Sequence, residues 1–247
     1  MLNPFEGFFS DPVYLEYKNH LFNYLARVRA VQSVTQNYSG RSLEIGSGIS
    51  PVTEASVYTD LEQNAMKALS ELQVNGKRHF YAVTDATQIS FKPGTFNSAV
   101  LSEVLEHIPD DRKTLSELAA VLAPGGHLVI TVPANPHYWG FDDEYVHHQR
   151  RYKIPELVEK VETAGFEVVR KKKVGGPLER VGTWITVKIF LSVFGKSSEK
   201  KSNPERLKQF LPVYKALNQF LSAIIRFDAW LMPESLTSII LLECRKK

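Results

Sequence analysis

The stretch RSLEIGSGIS runs an apolar-leaning segment into a carboxylate, Glu44, and then places Gly46 and Gly48 on either side of Ser47. Without a Cβ, a Gly-x-Gly after a strand lets the backbone turn tightly and approach a ligand closely. Two further carboxylates follow in order. Asp60 closes VYTD and Asp85 closes FYAVTD. At the C-terminal end of a strand, the Asp60 carboxylate can accept both hydroxyl protons of a ribose. Asp85 can accept from the exocyclic amine of an adenine while the N–H of Ala86 reaches a ring nitrogen. FNSAVLSEVLEHIPDD then carries Ser102 and Glu103 out of an apolar run into a polar turn. Each acidic residue alone is an ordinary cap or turn residue; the ordered set points to a nucleoside ligand.

These residues need strand ends that converge. Short apolar runs at 42–46, 56–59, 79–84, 96–102 and 127–133 read as strands. Helical patterns alternate with them: 12–34, with Leu21, Leu25 and Val28; one from Leu61, with Ala65, Leu69 and Leu72; and Asp110 to Leu122, stopped by Pro124-Gly125-Gly126. Another starts at Pro155 and breaks at Gly165. Alternation of this kind predicts an α/β fold with a parallel sheet, where ligands bind beyond the carboxyl ends of the strands. Residues 166–174 and 235–247 read as two more strands. The helix-like sequence between them has a polar break at SSEKKSNPERLK, where Asn203 and Pro204 look like a helix cap and first turn.

Composition narrows the function classes. The 247 residues are 43% hydrophobic with 14 glycines, which suits a globular domain. The single cysteine, Cys244, excludes an internal disulfide and a multi-cysteine zinc site, and a reducing, cytoplasmic location is expected. A net charge of +3 argues against a nucleic-acid partner, and RKKK at 170–173 reads as a solvated strand edge. No run of about 18 uncharged apolar residues indicates a membrane span, and MLNPFEGFFSDP does not read as a secretory signal.

The succession LEIGSGIS, VYTDL, VTDATQISF, FNSAVLSEVLEHIPD and LAPGGHLVITVP resembles the class I S-adenosylmethionine-dependent methyltransferases, in particular the small-molecule, ubiquinone-type group. The resemblance covers 41–133 motif by motif and 147–174 more loosely. It implies a Rossmann-like sheet of seven strands with the last antiparallel, helices on both faces, and a helical insertion before the last strand. By position it implies that Glu44, Gly46, Ser47 and Gly48 line the methionine part of S-adenosylmethionine, with Glu44 near its amino group. Asp60 takes the ribose hydroxyls, Leu61 lies against the adenine face, and Asp85 and Ala86 read its edge. Ser102 and Glu103 lie near the methionine moiety and sulfonium, and His107 where the acceptor arrives. The third glycine usual in the family is absent near Ser50. Asp60 follows Glu44 by only 16 positions (60 − 44), with Pro51 between them, against the ~20 of dinucleotide-binding units. The first crossover is therefore expected to be a loop. That disfavours a pyrophosphate-binding, nicotinamide-dependent oxidoreductase, the competing enzyme class, because such a site uses the helix N-terminus that is missing here.

Methyl transfer to a hydroxyl needs a base. Candidates are His107, His147 and His148, with Glu103, Arg151 and Tyr152 as orienting groups. Adjacent histidines point to opposite faces in a strand and lie about 100° apart on a helix, so no metal is expected. ANPHY at 134–138 resembles an adenine-N6 methyltransferase motif but follows the fifth strand where that motif follows the fourth. The reading is a cytoplasmic methyltransferase of a small or lipid- or sugar-linked acceptor, methylated at O or C; a non-catalytic protein keeping the cofactor fold is the other alternative. The expected organisation is one domain over 1–247. It has a helical segment at 1–36, a core sheet from 37–174 and 235–247, and a helical lid at 175–234 in which 184–232 could touch a membrane surface.

Overall fold

The computed structural model describes residues 17–72, 79–194 and 204–247. Seven strands, β1 (Ser42–Ile45), β2 (Val57–Asp60), β3 (Phe80–Val83), β4 (Phe96–Ser102), β5 (Leu122–Pro133), β6 (Phe166–Gly175) and β7 (Ile239–Lys246), form one sheet ordered 3-2-1-4-5-7-6. β1 to β5 are parallel, and β7 inserts antiparallel to both β5 and β6. This is the Rossmann-like architecture expected. The crevice at the carboxyl ends of β1 and β4, where strand order reverses, is the ligand position in such sheets.

The helices cover both faces. α1 (Phe22–Thr35) turns Phe22, Ala26, Ala30, Val31 and Val34 onto one face, where they meet Val100, Val129 and Leu241. The buried side of α1 is thus offset from Leu21, Leu25 and Val28, which are only half-buried. The part of the expected 12–34 helix before residue 17 lies outside the described residues. On the opposite face α3 (Asp111–Val121) and α5 (Ile154–Thr163) bury Leu115, Leu118, Leu157 and Val161 against Leu101, Leu128 and Ile130. α2 (Gln63–Glu71) closes the β2–β3 edge with Met66 and Leu69 against Tyr58, while Leu72 points to solvent. Pro124-Gly125-Gly126 does not separate helix from strand. α3 ends at Val121 and β5 begins at once, with the glycines inside a register irregularity opposite β4.

Between β6 and β7 the chain forms α6 (Pro177–Phe194) and α7 (Pro204–Leu231). The break around 195–203, including Asn203, lies outside the described residues. α7 packs on α1 and β6, and the Asn218 side chain accepts the backbone N–H of Phe22 at 3.0 Å, capping α1, whose own N-cap Leu21 has no capping oxygen. The opposite side of α7 exposes Phe210, Val213, Leu217, Phe220, Phe227 and Trp230. Among the described residues no helix is long and apolar enough to cross a membrane. The RKKK run lies on the β6 edge with its charges engaged separately: Arg170 with Glu243 at 3.3 Å, Lys172 with Ser33 at 2.7 Å, and Lys173 with carbonyls of α7 and the residue after it.

Candidate functional site

No helix forms between β1 and β2, and two buried polar side chains shape the loop in its place. Both Glu44 carboxylate oxygens face inward. One accepts the N–H of Val52 at 2.7 Å, and the other accepts the N–H of Thr53 at 3.0 Å and contacts its hydroxyl. Tyr58 accepts the N–H of Ala55 at 3.0 Å and donates to the carbonyl of Thr53 at 3.1 Å. Glu44 is therefore spent on the loop: its carboxylate pins the segment that in a longer crossover would be helical. Burial pushes its pKa up to about 7, against the pull of the Thr53 and Val52 hydrogen bonds.

The turn that follows β1 is left-handed at Gly46 (φ 69°) and Gly48 (φ 53°). A Cβ on Gly46 would sit 2.4 Å from Val104. So the absent side chain admits the polar turn after β4 rather than a ligand. The N–H groups of Gly46 and Ser47 donate to the carbonyl of Thr59 at 2.8 and 3.1 Å, binding the turn to β2. At the end of β2, Asp60 accepts from Gly48 N–H (2.8 Å) and Glu62 N–H (2.9 Å), one bond on each oxygen. Each oxygen keeps acceptor capacity for one further hydroxyl. Leu61 beside it is 60% exposed, an open apolar surface next to the carboxylate. Asp85 is exposed and binds the N–H and hydroxyl of Thr87 at 2.8 and 2.7 Å, a side-chain turn that leaves buried Ala86 at the rim.

Beyond β4 the Ser102 hydroxyl meets Thr131 at 3.0 Å, and Glu103 adopts φ 56°, unusual for a residue with a Cβ. α1 reaches over this point. Arg27 Nη1 lies 3.6 Å from Glu103 Oε2, while Arg27 Nε and Glu103 Oε1 are both buried without a hydrogen-bond partner. An orphaned guanidinium N–H beside an orphaned carboxylate oxygen suits a ligand that carries its own carboxylate and ammonium. Lys18 stands in the same neighbourhood. Burial and the charge of Arg27 lower its pKa to about 8, with Asp60 opposing. Tyr24 donates to the carbonyl of Ser50 at 3.1 Å and Asn19 to the Ser50 hydroxyl at 2.8 Å, so α1 and the residues before it close onto the turn.

The histidines separate. His107, in the turn Leu105–His107, and His148, after α4 (Phe141–Tyr145), bring their rings to 4.7 Å. Burial and the neighbouring His148 lower the His107 pKa to about 3, so its ring is neutral. His147 is exposed at φ 58°, and its backbone hydrogen-bonds the His107 ring. Beside the paired rings lies Glu106, wholly buried, with neither oxygen hydrogen-bonded; burial and nearby Glu103 raise its pKa well above the usual carboxylate range. His148 Nδ1 meets Asp143 Oδ1 at 2.7 Å, and Arg151 Nε donates to Asp143 Oδ2 at 2.9 Å. Although burial opposes ionisation of Asp143, the bonds from His148 and Arg151 prevail and hold its pKa at about 2. Arg151 also reaches the carbonyls of Ala134 and Ser238, and Tyr152 is buried with its hydroxyl on Leu105 and Asp111. Both are scaffold rather than groups that orient a ligand. Asn135 of the ANPHY run likewise caps its own turn and donates to the carbonyl of Ser235.

The expected Gly46–Gly48 turn, Asp60, Leu61, Ser102, Glu103 and His107 thus gather along the crevice of β1, β2 and β4, and Asp85 and Ala86 stand at the end of β3. The structure adds Arg27, Glu106 and Asp143 to these. Arg27 carries no local mark in the sequence, and Asp143 lies in the polar, aromatic-rich run 142–152. Glu106 does carry one, an acidic residue beside His107 in a turn leaving a strand.

A family model described as a methyltransferase domain matches residues 17–171. The chain is 33% identical over 91 residues to a demethylmenaquinone methyltransferase of Streptomyces avermitilis, covering 36% of this chain and 39% of that protein. It is 24% identical over 164 residues to a ubiquinone biosynthesis O-methyltransferase of Idiomarina loihiensis, covering 57% of this chain and 68% of that protein. Among solved structures, an S-adenosylmethionine-dependent methyltransferase of Thermotoga maritima superposes with a TM-score of 0.62 over 100% of both chains at 15% identity, a likeness of fold.

Proposed function

The chain belongs to the methyltransferase-domain family, of the class I S-adenosylmethionine-dependent kind, and on that premise we propose that it methylates a small-molecule acceptor at oxygen. S-adenosylmethionine supplies a methyl group on a positively charged sulfur. The observation that carries the reading is the paired arrangement along the crevice: Asp60 with one acceptor position left on each oxygen, and beyond it Arg27 Nε and Glu103 Oε1, each buried without a hydrogen bond. In this reading Asp60 accepts the two ribose hydroxyls and Leu61 lies against the adenine. Asp85 and the N–H of Ala86 read the adenine edge. Arg27 takes the carboxylate and Glu103 the ammonium of the amino-acid end, while the Gly46–Ser47–Gly48 turn and Ser102 form the floor. Glu44 acts indirectly, by fixing the loop behind the turn.

The acceptor arrives at the side of His107 and His148. Histidine and carboxylate groups there suit an acceptor that loses a proton, such as a phenol or an enol. The name of the Idiomarina relative, an O-methyltransferase, supports the choice of oxygen. The chain's own work is to hold donor and acceptor close and in line and to keep water out. α6 contributes a wall, since Arg180 binds Asp142 of α4 at 2.7 Å and the carbonyl of Tyr138 at 2.8 Å. The exposed stripe on α7 supports an acceptor with an apolar tail, presented at a lipid surface. This reading keeps the chain as one domain in which 175–234 serves as wall and lipid-facing element.

Calorimetric titration with S-adenosylhomocysteine tests the donor site. Binding is expected; no heat and no thermal shift at millimolar ligand would overturn the reading. A panel of lipid-linked and free phenolic acceptors with radiolabelled donor then identifies the acceptor class, and label in nucleic acid would contradict it.

A further inference from the structure

We propose that Glu106, His107 and His148 form a binding site for a divalent transition-metal ion. Their ligand atoms all lie within 4.8 Å of one another. His148 Nε2 is 3.7 Å and His107 Nε2 4.0 Å from Glu106 Oε1. Ligands sharing one ion at bonds of about 2.0–2.2 Å sit roughly 3.4 Å apart in tetrahedral geometry, so each histidine needs to close on the carboxylate by only a few tenths of an ångström.

Two observations favour a cation over a merely structural cluster. First, Glu106 is fully buried and neither of its oxygens is hydrogen-bonded, although buried carboxylates are ordinarily paired. A cation between the three side chains supplies the missing partner. Second, Asp143 fixes the His148 tautomer. Its carboxylate accepts from Arg151 Nε and from Gly140 N–H, and its contact with His148 Nδ1 at 2.7 Å places the ring proton on Nδ1. The Nε2 edge of the ring therefore faces the Glu106 oxygen. A carboxylate gripping the far nitrogen of a histidine is how metal-binding histidines are held and made more basic.

Two nitrogens and one carboxylate oxygen suit Zn²⁺, Mn²⁺, Fe²⁺ or Co²⁺ better than Ca²⁺ or a thiolate-seeking ion. Three protein ligands leave positions open. The expectation of no metal considered only the neighbours His147 and His148; the fold instead pairs His148 with His107, forty-one positions away (148 − 107). The use of the ion rests on the function proposed above: an acceptor hydroxyl on an open position would lose its proton more readily. Ion binding itself does not depend on that reading.

The test uses the full chain, stripped with a chelator and dialysed. Calorimetry with Zn²⁺ and Mn²⁺, and the visible absorption of Co²⁺, should show about one ion per chain. Glu106→Gln should weaken binding by at least about tenfold while leaving the thermal midpoint of the metal-free protein nearly unchanged, because the amide matches the buried side chain in shape. His148→Ala should also lose the Co²⁺ spectrum. Asp143→Asn should weaken binding by about 10–100-fold. No binding by the parent chain at millimolar ion, or equal binding by parent and Glu106→Gln, overturns the site. S-adenosylhomocysteine is titrated into the same samples. Binding of that ligand without metal binding refutes the cation site alone, and metal binding without it refutes the cofactor reading alone.

Discussion

The backbone N–H of Gly48 donates to Oδ2 of Asp60 at 2.8 Å, so the turn after β1 and the end of β2 hold one another before a ligand enters. With Glu62 N–H on the other oxygen, the carboxylate cannot swing, and its remaining acceptor positions are aimed by the backbone. Such preorganisation lowers the ordering cost of binding.

Replacing Asp60 by alanine removes two charge-assisted acceptors and frees the turn. At roughly 1.5–3 kcal/mol for each hydrogen bond to a charged group, S-adenosylhomocysteine affinity should fall about 100-fold or more. Calorimetry checks this. Affinity within twofold of the parent means that Asp60 is not the ribose ligand.

Arg27→Ala should weaken S-adenosylhomocysteine by about tenfold or more, since one charged hydrogen-bonded partner is lost. Methylthioadenosine lacks the amino-acid end, and its affinity should not change. Equal losses for both ligands would place Arg27 elsewhere in the site, or assign it to holding α1 against Glu103.

Glu44 gives a pH dependence of stability with a defined sign. Its folded pKa of about 7 lies above the ordinary 4.5, so the folded state binds the proton more tightly. The contribution is fully favourable below about pH 4.5 and is lost as pH rises through 7. The 2.5-unit difference (7 − 4.5) is worth about 3 kcal/mol at most. Glu44→Gln should abolish this slope in chemical denaturation between pH 4.5 and 7. It should also cost about 1–3 kcal/mol, because an amide cannot accept both the Val52 and the Thr53 N–H groups as the carboxylate does. An unchanged slope in the variant would show that another group titrates.

The α7 stripe predicts adsorption to lipid vesicles. Phe220→Ser together with Trp230→Ser should reduce cosedimentation by about tenfold or more while leaving the thermal midpoint nearly unchanged, because both side chains face outward. If the parent chain ignores vesicles but forms concentration-dependent dimers in ultracentrifugation, the stripe is a protein interface.

Much of this arrangement could be read from the chain. The ordered carboxylates Asp60 and Asp85 and the Gly46–Gly48 pair locate the crevice because strand alternation and turn chemistry are local properties. The short β1–β2 connection was visible in spacing and in Pro51. What could not be read was assigned by tertiary packing. Glu44 matched the position of a ligand residue, yet the short loop needed an acceptor for Val52 and Thr53, and no residue count reveals that. Arg27 lies on a helix whose inward side is set by α7 and the sheet. Glu106 meets His148 only when the segment after α4 brings that ring onto it. The Pro-Gly-Gly run, a sound stop signal by itself, was absorbed into β5 because a strand irregularity tolerates glycine as readily as a helix end does.

β7 lies between β5 and β6, yet it is the last of the seven strands to leave the ribosome. Until residues 239–246 emerge, the edges of β5 and β6 have no partner, while β1 to β5 can already assemble. Completion of the sheet therefore waits on a contact that spans α6 and α7, a slow non-local closure that leaves two strand edges open to other chains. In the cell this half of the molecule is where a chaperone would be needed, and where loss of residues 239–246 would do more harm than most substitutions.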